Sequence, residues 1–156
     1  MKQKQVQQLK QLIASQRVLA LSVVVDGEPY VGLLPYAPEG DFRSVLVHAS
    51  TLARHTRGLK TGASFAILIH EPDAPEVDAL QVERVTLQGT VELVDKNTAE
   101  YGEGRDLYVK RFPSSEQTFL LGDFNLYRLR IEKGRYVEGF ARAVNVGPMD
   151  IEQMAT

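Results

Sequence analysis

The sequence has no cysteine. That excludes disulfides, cysteine-ligated zinc and thiol catalysis, and it fits a cytosolic protein. Nor is there an excess of positive charge: the formal net charge is −2 at pH 7, whereas a general nucleic-acid binder is normally basic. No apolar run approaches the ~18–20 residues of a membrane-spanning helix. The polar start Lys2-Gln3-Lys4-Gln5 has the wrong composition for a signal peptide. No repeat, low-complexity stretch or interdomain linker interrupts the 156 residues, a length that suits one domain able to bury a core without covalent staples. The expectation is a soluble, cytoplasmic single domain over 1–156, with neither nucleic acid nor membrane as partner. Two enzyme signatures are also missing. No βαβ unit opens on a Gly-rich turn, which argues against a Rossmann site, and no Gly-x-Ser-x-Gly elbow supports hydrolase chemistry.

What is present is mostly strand. Val6, Leu9, Leu12 and Ile13 recur at helical spacing and predict an amphipathic N-terminal helix over 1–16. The apolar run Arg17–Val25, the pair Asp26-Gly27 and the run Pro29–Tyr36 predict a hairpin, with the prolines placing the second strand's ends at bulges or an edge. Further strands are expected at 44–49, 64–69, 84–94, 124–131 and 136–140, with Lys133-Gly134 turning the chain between the last two. Gly89 inside its strand suggests a bulge or a close approach. A short helix capped by Ser50 or Thr51 is expected through Leu59. A longer one runs from Asn97 to about Phe112 and is closed by Pro113, and a last one is capped by Ser114 with Gln117 three residues on. Residues 148–156 read as a loose tail. About seven short strands joined mostly by hairpins indicate a mainly β fold, an antiparallel sheet or barrel with peripheral helices.

The densest polar chemistry is Ser50-Thr51-Leu52-Ala53-Arg54-His55-Thr56-Arg57, directly after a strand. Hydroxyls, guanidinium groups and free N–H groups at a helix start make a phosphate site; a solvated, capped helix with ordinary surface charges fits the same spacing. Arg84, Thr86, Gln88 and Thr90 share one strand face, suited to a polar ligand or to the wet side of a half-exposed sheet. Asp123 can start or cap its strand. His48, His55 and His70 show no metal-ligand spacing, and His48 and His70 fall in strands as structural residues, so no metal site is expected.

Seven motifs occur in register: Arg17 to Ala20, Asp26-Gly27-x-Pro29-Tyr30, Leu34-Pro35-Tyr36-Ala37, Leu52-Ala53-x-His55-Thr56-Arg57-x-Leu59, Arg84-x-Thr86-Leu87-x-Gly89, Asp123-Phe124-x-Leu126-Tyr127-Arg128-Leu129 and Gly139 to Ala143. Over about 6–146 the chain resembles the pyridoxamine 5′-phosphate oxidase-like, FMN-binding split barrels, and among them the branch of bacterial haem-utilisation proteins. The resemblance implies a six-stranded antiparallel split barrel, dimerised through the barrel face as a homodimer. It implies FMN as cofactor, with the phosphate on Ser50, Arg54, His55, Thr56 and Arg57. The flavin ring would lie along Leu33, Leu34 and Pro35, touching Arg84, Thr86 and Gln88 of the other subunit. The function implied is an FMN-dependent oxidoreductase acting on a small-molecule substrate, with no side chain required as acid or base. The alternatives are a haem-binding or haem-degrading protein using the same dimer cleft, or a flavin carrier without turnover. In the haem branch the resemblance implies that His55 and Asp123 pair across the interface and that a C-terminal segment supplies the iron ligand; this sequence has no His after His70.

Overall fold

The helical stripe Val6, Leu9, Leu12 and Ile13 becomes helix α1, Gln3–Ser15, in the computed structural model, which describes residues 1–139 and 142–156. All four side chains are buried, as expected for a helix whose apolar stripe is laid on a core. Strands β1 (Val18–Val25) and β2 (Glu28–Pro35) pair antiparallel, from Val25 opposite Glu28 to Val18 opposite Pro35. Asp26 and Gly27 between them have φ of 54° and 80°, the two-residue turn whose twist matches the strands it joins.

The chain continues with β3 (Ala37–Pro38), β4 (Ser44–Ser50), β5 (Ser64–His70) and β6 (Arg84–Leu93). Helices α2 (Ala99–Arg111) and α3 (Glu116–Phe119) precede β7 (Phe124–Gly139), β8 (Arg142–Val146) and α4 (Pro148–Met154). The strand order is β2-β1-β5-β6-β7-β4-β3, with β8 on β7. Only Tyr36 separates β2 from β3, so one stretch of chain forms both ends of the sheet and curls it round. The barrel stays split where β2 and β4 approach without pairing. Inside it, Leu19, Leu21, Val45, Val47, Ile67, Ile69, Val85, Leu87 and Leu129 pack against Leu9, Leu12 and Ile13 of α1, which closes one end. The buried Tyr36 hydroxyl donates to the Ile13 carbonyl at 2.6 Å and fixes that helix to the barrel. A second cluster, Ala37, Leu46, Val94, Tyr108 and Leu126, holds α2 on the outside of the sheet.

Among the described residues the sheet has eight strands, where six were expected of the split barrel. Four local expectations are corrected. Lys133-Gly134 is no turn: β7 runs straight through it, and a Cβ on Gly134 would lie 2.5 Å from the Thr86 carbonyl oxygen, so this glycine permits a close strand contact. The tail is not loose: α4 carries Pro148 in its first turn, Asp150 accepts from the Gly147 N–H at 2.8 Å and from the N-terminal ammonium at 3.0 Å, and Ile151 and Met154 are buried. The helix expected from Ser50 is a single 3₁₀ turn, Arg54–Gly58, preceded by Ala53 with no side-chain cap. Ser50 instead ends β4, and its hydroxyl serves a turn by accepting from the Leu52 N–H at 3.1 Å. Ser114 does not cap α3 either, because Pro113–Ser115 forms its own 3₁₀ turn ahead of Glu116. The Phe140-Ala141 part of the Gly139–Ala143 motif, and the end of the expected last strand, lie outside the described residues.

Candidate functional site

Among the described strands β2 is terminal, so one row of its N–H and C=O groups has no strand partner. Its outward side is apolar: Val31 is 64% exposed and Leu33 70%. Register sets Leu33 beside Ala20 and Leu68, and Val31 beside Ser22 and Ala66. Val18, Val24 and Leu68 are exposed on the same side. Three adjacent strands thus present one contiguous apolar face to solvent, a feature that marks a surface meant to be covered. Leu34 alternates inward and is buried, and Pro35 is exposed at the strand's end.

The other side of β2 carries His55. A Cβ on Gly32 would come within 2.9 Å of His55 Nδ1, so the imidazole lies directly over the strand backbone and a side chain at 32 would displace it. His55 Nε2 is buried and has no hydrogen-bond partner, and burial lowers the pKa of the ring. Arg54 stacks its guanidinium 5.6 Å from the Tyr30 ring centre on the same strand.

The remaining hydroxyl and charged groups of 50–57 have separate partners. Ser50 donates to Asp123 Oδ2 at 3.0 Å, and the Asp123 carbonyl accepts from the Thr51 N–H at 2.7 Å. Thr56 donates to the Ser50 carbonyl at 2.6 Å. Arg57 turns to the β1–β2 hairpin and pairs with Asp26 at 2.8 Å, both side chains more than half exposed. Arg54 and His55 therefore gather on β2 and Ser50 meets Asp123, while Arg57 is directed elsewhere.

On β6, Thr86 and Gln88 are exposed on the outward face with Arg84 in the same alternation. The bulge expected at Gly89 is present: the register shifts between Gln88 and Gly89, and a Cβ there would overlap the Arg130 carbonyl oxygen at 1.7 Å. Thr86 and Gln88 open into a polar recess of about 420 Å³ shared with Lys133, Arg135 and Asn145. Arg84 donates to the Leu80 and Val82 carbonyls at 3.2 and 2.8 Å.

His48 is buried, stacked on Phe119 at 3.7 Å and 8° between planes, with Nδ1 3.3 Å from the Thr118 hydroxyl. Burial first, and the charge of Lys96 second, push its pKa down to about 4. It is the structural residue the strand pattern suggested. His70 is different, and its surroundings were missed. It ends β5 exposed, with Nδ1 2.6 Å from the Glu71 carbonyl oxygen. The period-2 alternation of Ser64–His70 was the available signal, since it sets His70 on the face of Ala66 and Leu68. Among the described residues no group of three His, Cys, Asp or Glu side chains is placed to hold a metal ion, and no helix is long and apolar enough to cross a membrane.

Comparison with known proteins agrees with this architecture. The family model described as Pyridoxamine 5'-phosphate oxidase matches residues 6–138. The chain is 25% identical over 146 residues to the heme oxygenase HutZ of Vibrio cholerae serotype O1, covering 92% of this chain and 82% of that protein. The fold is similar to that of a heme binding protein from Mycobacterium smegmatis, with TM-score 0.82 and 24% identity over 96% of this chain and 59% of that one. It is also similar to Campylobacter jejuni ChuZ, with TM-score 0.82 and 17% identity over 96% of this chain and 62% of that one. The chain thus spans about three-fifths of the length of both solved structures.

Proposed function

The chain belongs to the pyridoxamine 5′-phosphate oxidase family, and from that membership and the geometry around β2 we propose that two copies of it enclose haem in a cleft at the free edge of that strand. The observation that carries this reading is the contiguous exposed apolar face of Val18, Val24, Val31, Leu33 and Leu68. Haem is a flat, largely apolar disc with two carboxylates. It needs apolar walls and a cation at its rim, and the face together with Arg84 fits that chemistry. The curated relative is named a heme oxygenase and a structural relative a heme binding protein, which supports the same ligand. Bound haem would supply an iron centre; the chain would supply apolar enclosure, exclusion of water and charge at the rim.

FMN asks for something else: a cluster of donors converging on one phosphate. Of the groups expected to hold it, Ser50 meets Asp123, Thr56 meets the Ser50 carbonyl and Arg57 meets Asp26, while Arg54 lies on Tyr30 and His55 over Gly32; this dispersal favours haem over the flavin reading.

The second copy is part of the proposal. His55 Nε2 is buried without a partner in the single chain, and an unpaired buried polar group is costly. Asp123 uses Oδ2 for Ser50; its other oxygen, on a second copy, is a suitable acceptor for that nitrogen. A two-fold dimer makes two equivalent clefts. Titration of the protein with haem and, separately, with FMN tests the reading. Haem uptake that saturates at one per chain with a sharpened Soret band is the expected result. Stoichiometric FMN uptake without haem uptake would overturn it and restore the flavin-dependent reading.

A further inference from the structure

Between β4 and the end of α2 lies a recess of about 300 Å³ that the proposed function does not use. Its walls are Pro35 at the end of β2, His48 of β4, Tyr108 of α2, Phe112 just after it, and Phe124 at the start of β7, with Ser114 of the following 3₁₀ turn beside them. The lining is largely aromatic and continuous: the rings of Tyr108 and Phe112 are 5.2 Å apart, and those of His48 and Phe124 5.1 Å. Phe119 covers one face of the His48 ring and is not part of this lining. An apolar cavity of about 150 Å³ takes benzene, so roughly twice that volume suits a bicyclic ring.

His48 supplies the second observation. It is only 6% exposed, and its Nε2 is buried without a hydrogen-bond partner. The state of that nitrogen follows from its neighbours. The Thr118 hydroxyl has one proton and donates it to the Ser115 carbonyl at 2.8 Å. Toward His48 Nδ1, 3.3 Å away, it therefore accepts, and Nδ1 carries the ring proton. The ring is neutral at pH 7, because burial holds its pKa at about 4. Nε2 is thus an acceptor in need of a donor, and a buried acceptor left unpaired is costly.

Charge at the recess has one sign. The Arg17 guanidinium lies 4.9 Å from the centre of the Phe112 ring, and that of Arg111 5.8 Å from it. The Tyr36 N–H donates to the Arg17 carbonyl at 3.1 Å, which keeps Arg17 next to the Pro35 side of the recess. Arg111 donates to the Ala14 and Gln16 carbonyls. Among the described residues neither guanidinium is paired with a carboxylate, and Arg17 is exposed.

We propose that this recess binds a small aromatic acid, its ring among Tyr108, Phe112 and Phe124, a ring N–H or O–H donated to His48 Nε2, and its carboxylate met by Arg17. Aromatic walls with a few convergent polar groups are the usual composition of a small-molecule site. The proposal does not depend on haem binding.

The test titrates the full-length protein with indole-3-acetate. The chain has no tryptophan, so indole emission reports the probe alone. Saturable binding at one per chain is expected. 1-Naphthylacetate keeps the carboxylate and the bicyclic ring but has no N–H, and it should bind about tenfold more weakly, as for the loss of one hydrogen bond. His48→Phe keeps a ring on Phe119 and removes the acceptor, so it should bind the two acids about equally. Arg17→Ala should weaken indole-3-acetate and leave indole itself unchanged. Far-ultraviolet dichroism checks that both variants fold, and the comparison of the two acids in wild type needs no variant. Absence of saturable binding in the millimolar range overturns the proposal, since Nε2 is then served by water. Equal affinity of wild type for the two acids, or a preference for the indole that survives in His48→Phe, overturns it as well.

Discussion

A histidine has two ring nitrogens, and what each one meets decides what the residue can do. In this chain one ring is packed as a core side chain, one lies over a glycine in an edge strand, and one is oriented by a carbonyl toward solvent. The first of these has a measurable consequence. Unfolded, His48 titrates near 6.5; folded, it is held down at about 4. Between those values the unfolded chain binds a proton that the folded chain refuses, so stability present above pH 6.5 is lost as the pH falls toward 4. His48→Phe keeps a ring on Phe119 and removes the titration. Its stability, followed by chemical denaturation, should decline less steeply over that interval than that of wild type. His55 is shifted in the same direction by burial and accounts for part of the slope that remains. Superimposable slopes would show that His48 accepts a proton in the fold at no cost. At this scale the sequence located the polar segment 50–57 but not its partners. Asp26 lies 31 residues from Arg57 and Asp123 lies 73 from Ser50, and no local spacing rule reaches that far.

Elements were legible where a local rule governs them. Helix α1 follows its 3.6-residue stripe, the β1–β2 hairpin follows Asp-Gly, and the Gly89 bulge follows from a glycine inside an alternating strand. They were illegible where a distant partner decides. Gly134 reads as a turn residue until β6 is laid against it, and α4, seven residues long, shows too few apolar positions for a periodicity until α1 is there to bury Ile151 and Met154. The bulge gives a sharp prediction. Gly89→Ala puts a methyl carbon onto the Arg130 carbonyl, a backbone atom with no rotamer by which to yield. The cost should be about 2–3 kcal/mol or more, as for overpacking against a fixed neighbour. A denaturation midpoint equal to that of wild type would mean that β6 and β7 separate there without penalty.

On the scale of the molecule the main feature is an asymmetry between the two sides of the sheet. One side is filled by the barrel core; the other, across β2, β1 and β5, is apolar and open. Half of this was legible as alternation in Val18–Val25 and Ser64–His70. That alternation was less regular than a sheet wet on one face would show, because Val18, Val24 and Leu68 stand where polar residues are usual. Why the outward positions are apolar follows only when the three strands lie side by side, since each strand alone carries one or two such residues. On the proposed reading, a second copy and a haem would cover this face. Leu33→Glu, at the most exposed apolar position of β2, sets a charge in that contact and should weaken both associations without loosening the core.

The measurement that bears most directly on this is sedimentation velocity of the haem-saturated protein, recorded in parallel at the protein band and at the haem band. Wild type should sediment as a dimer with the haem absorbance in the same boundary, and Leu33→Glu should sediment as a monomer that has released it. Haem travelling in stoichiometric amount with a monomer, or a dimer that excludes haem, would contradict a cleft made by two copies around that ligand.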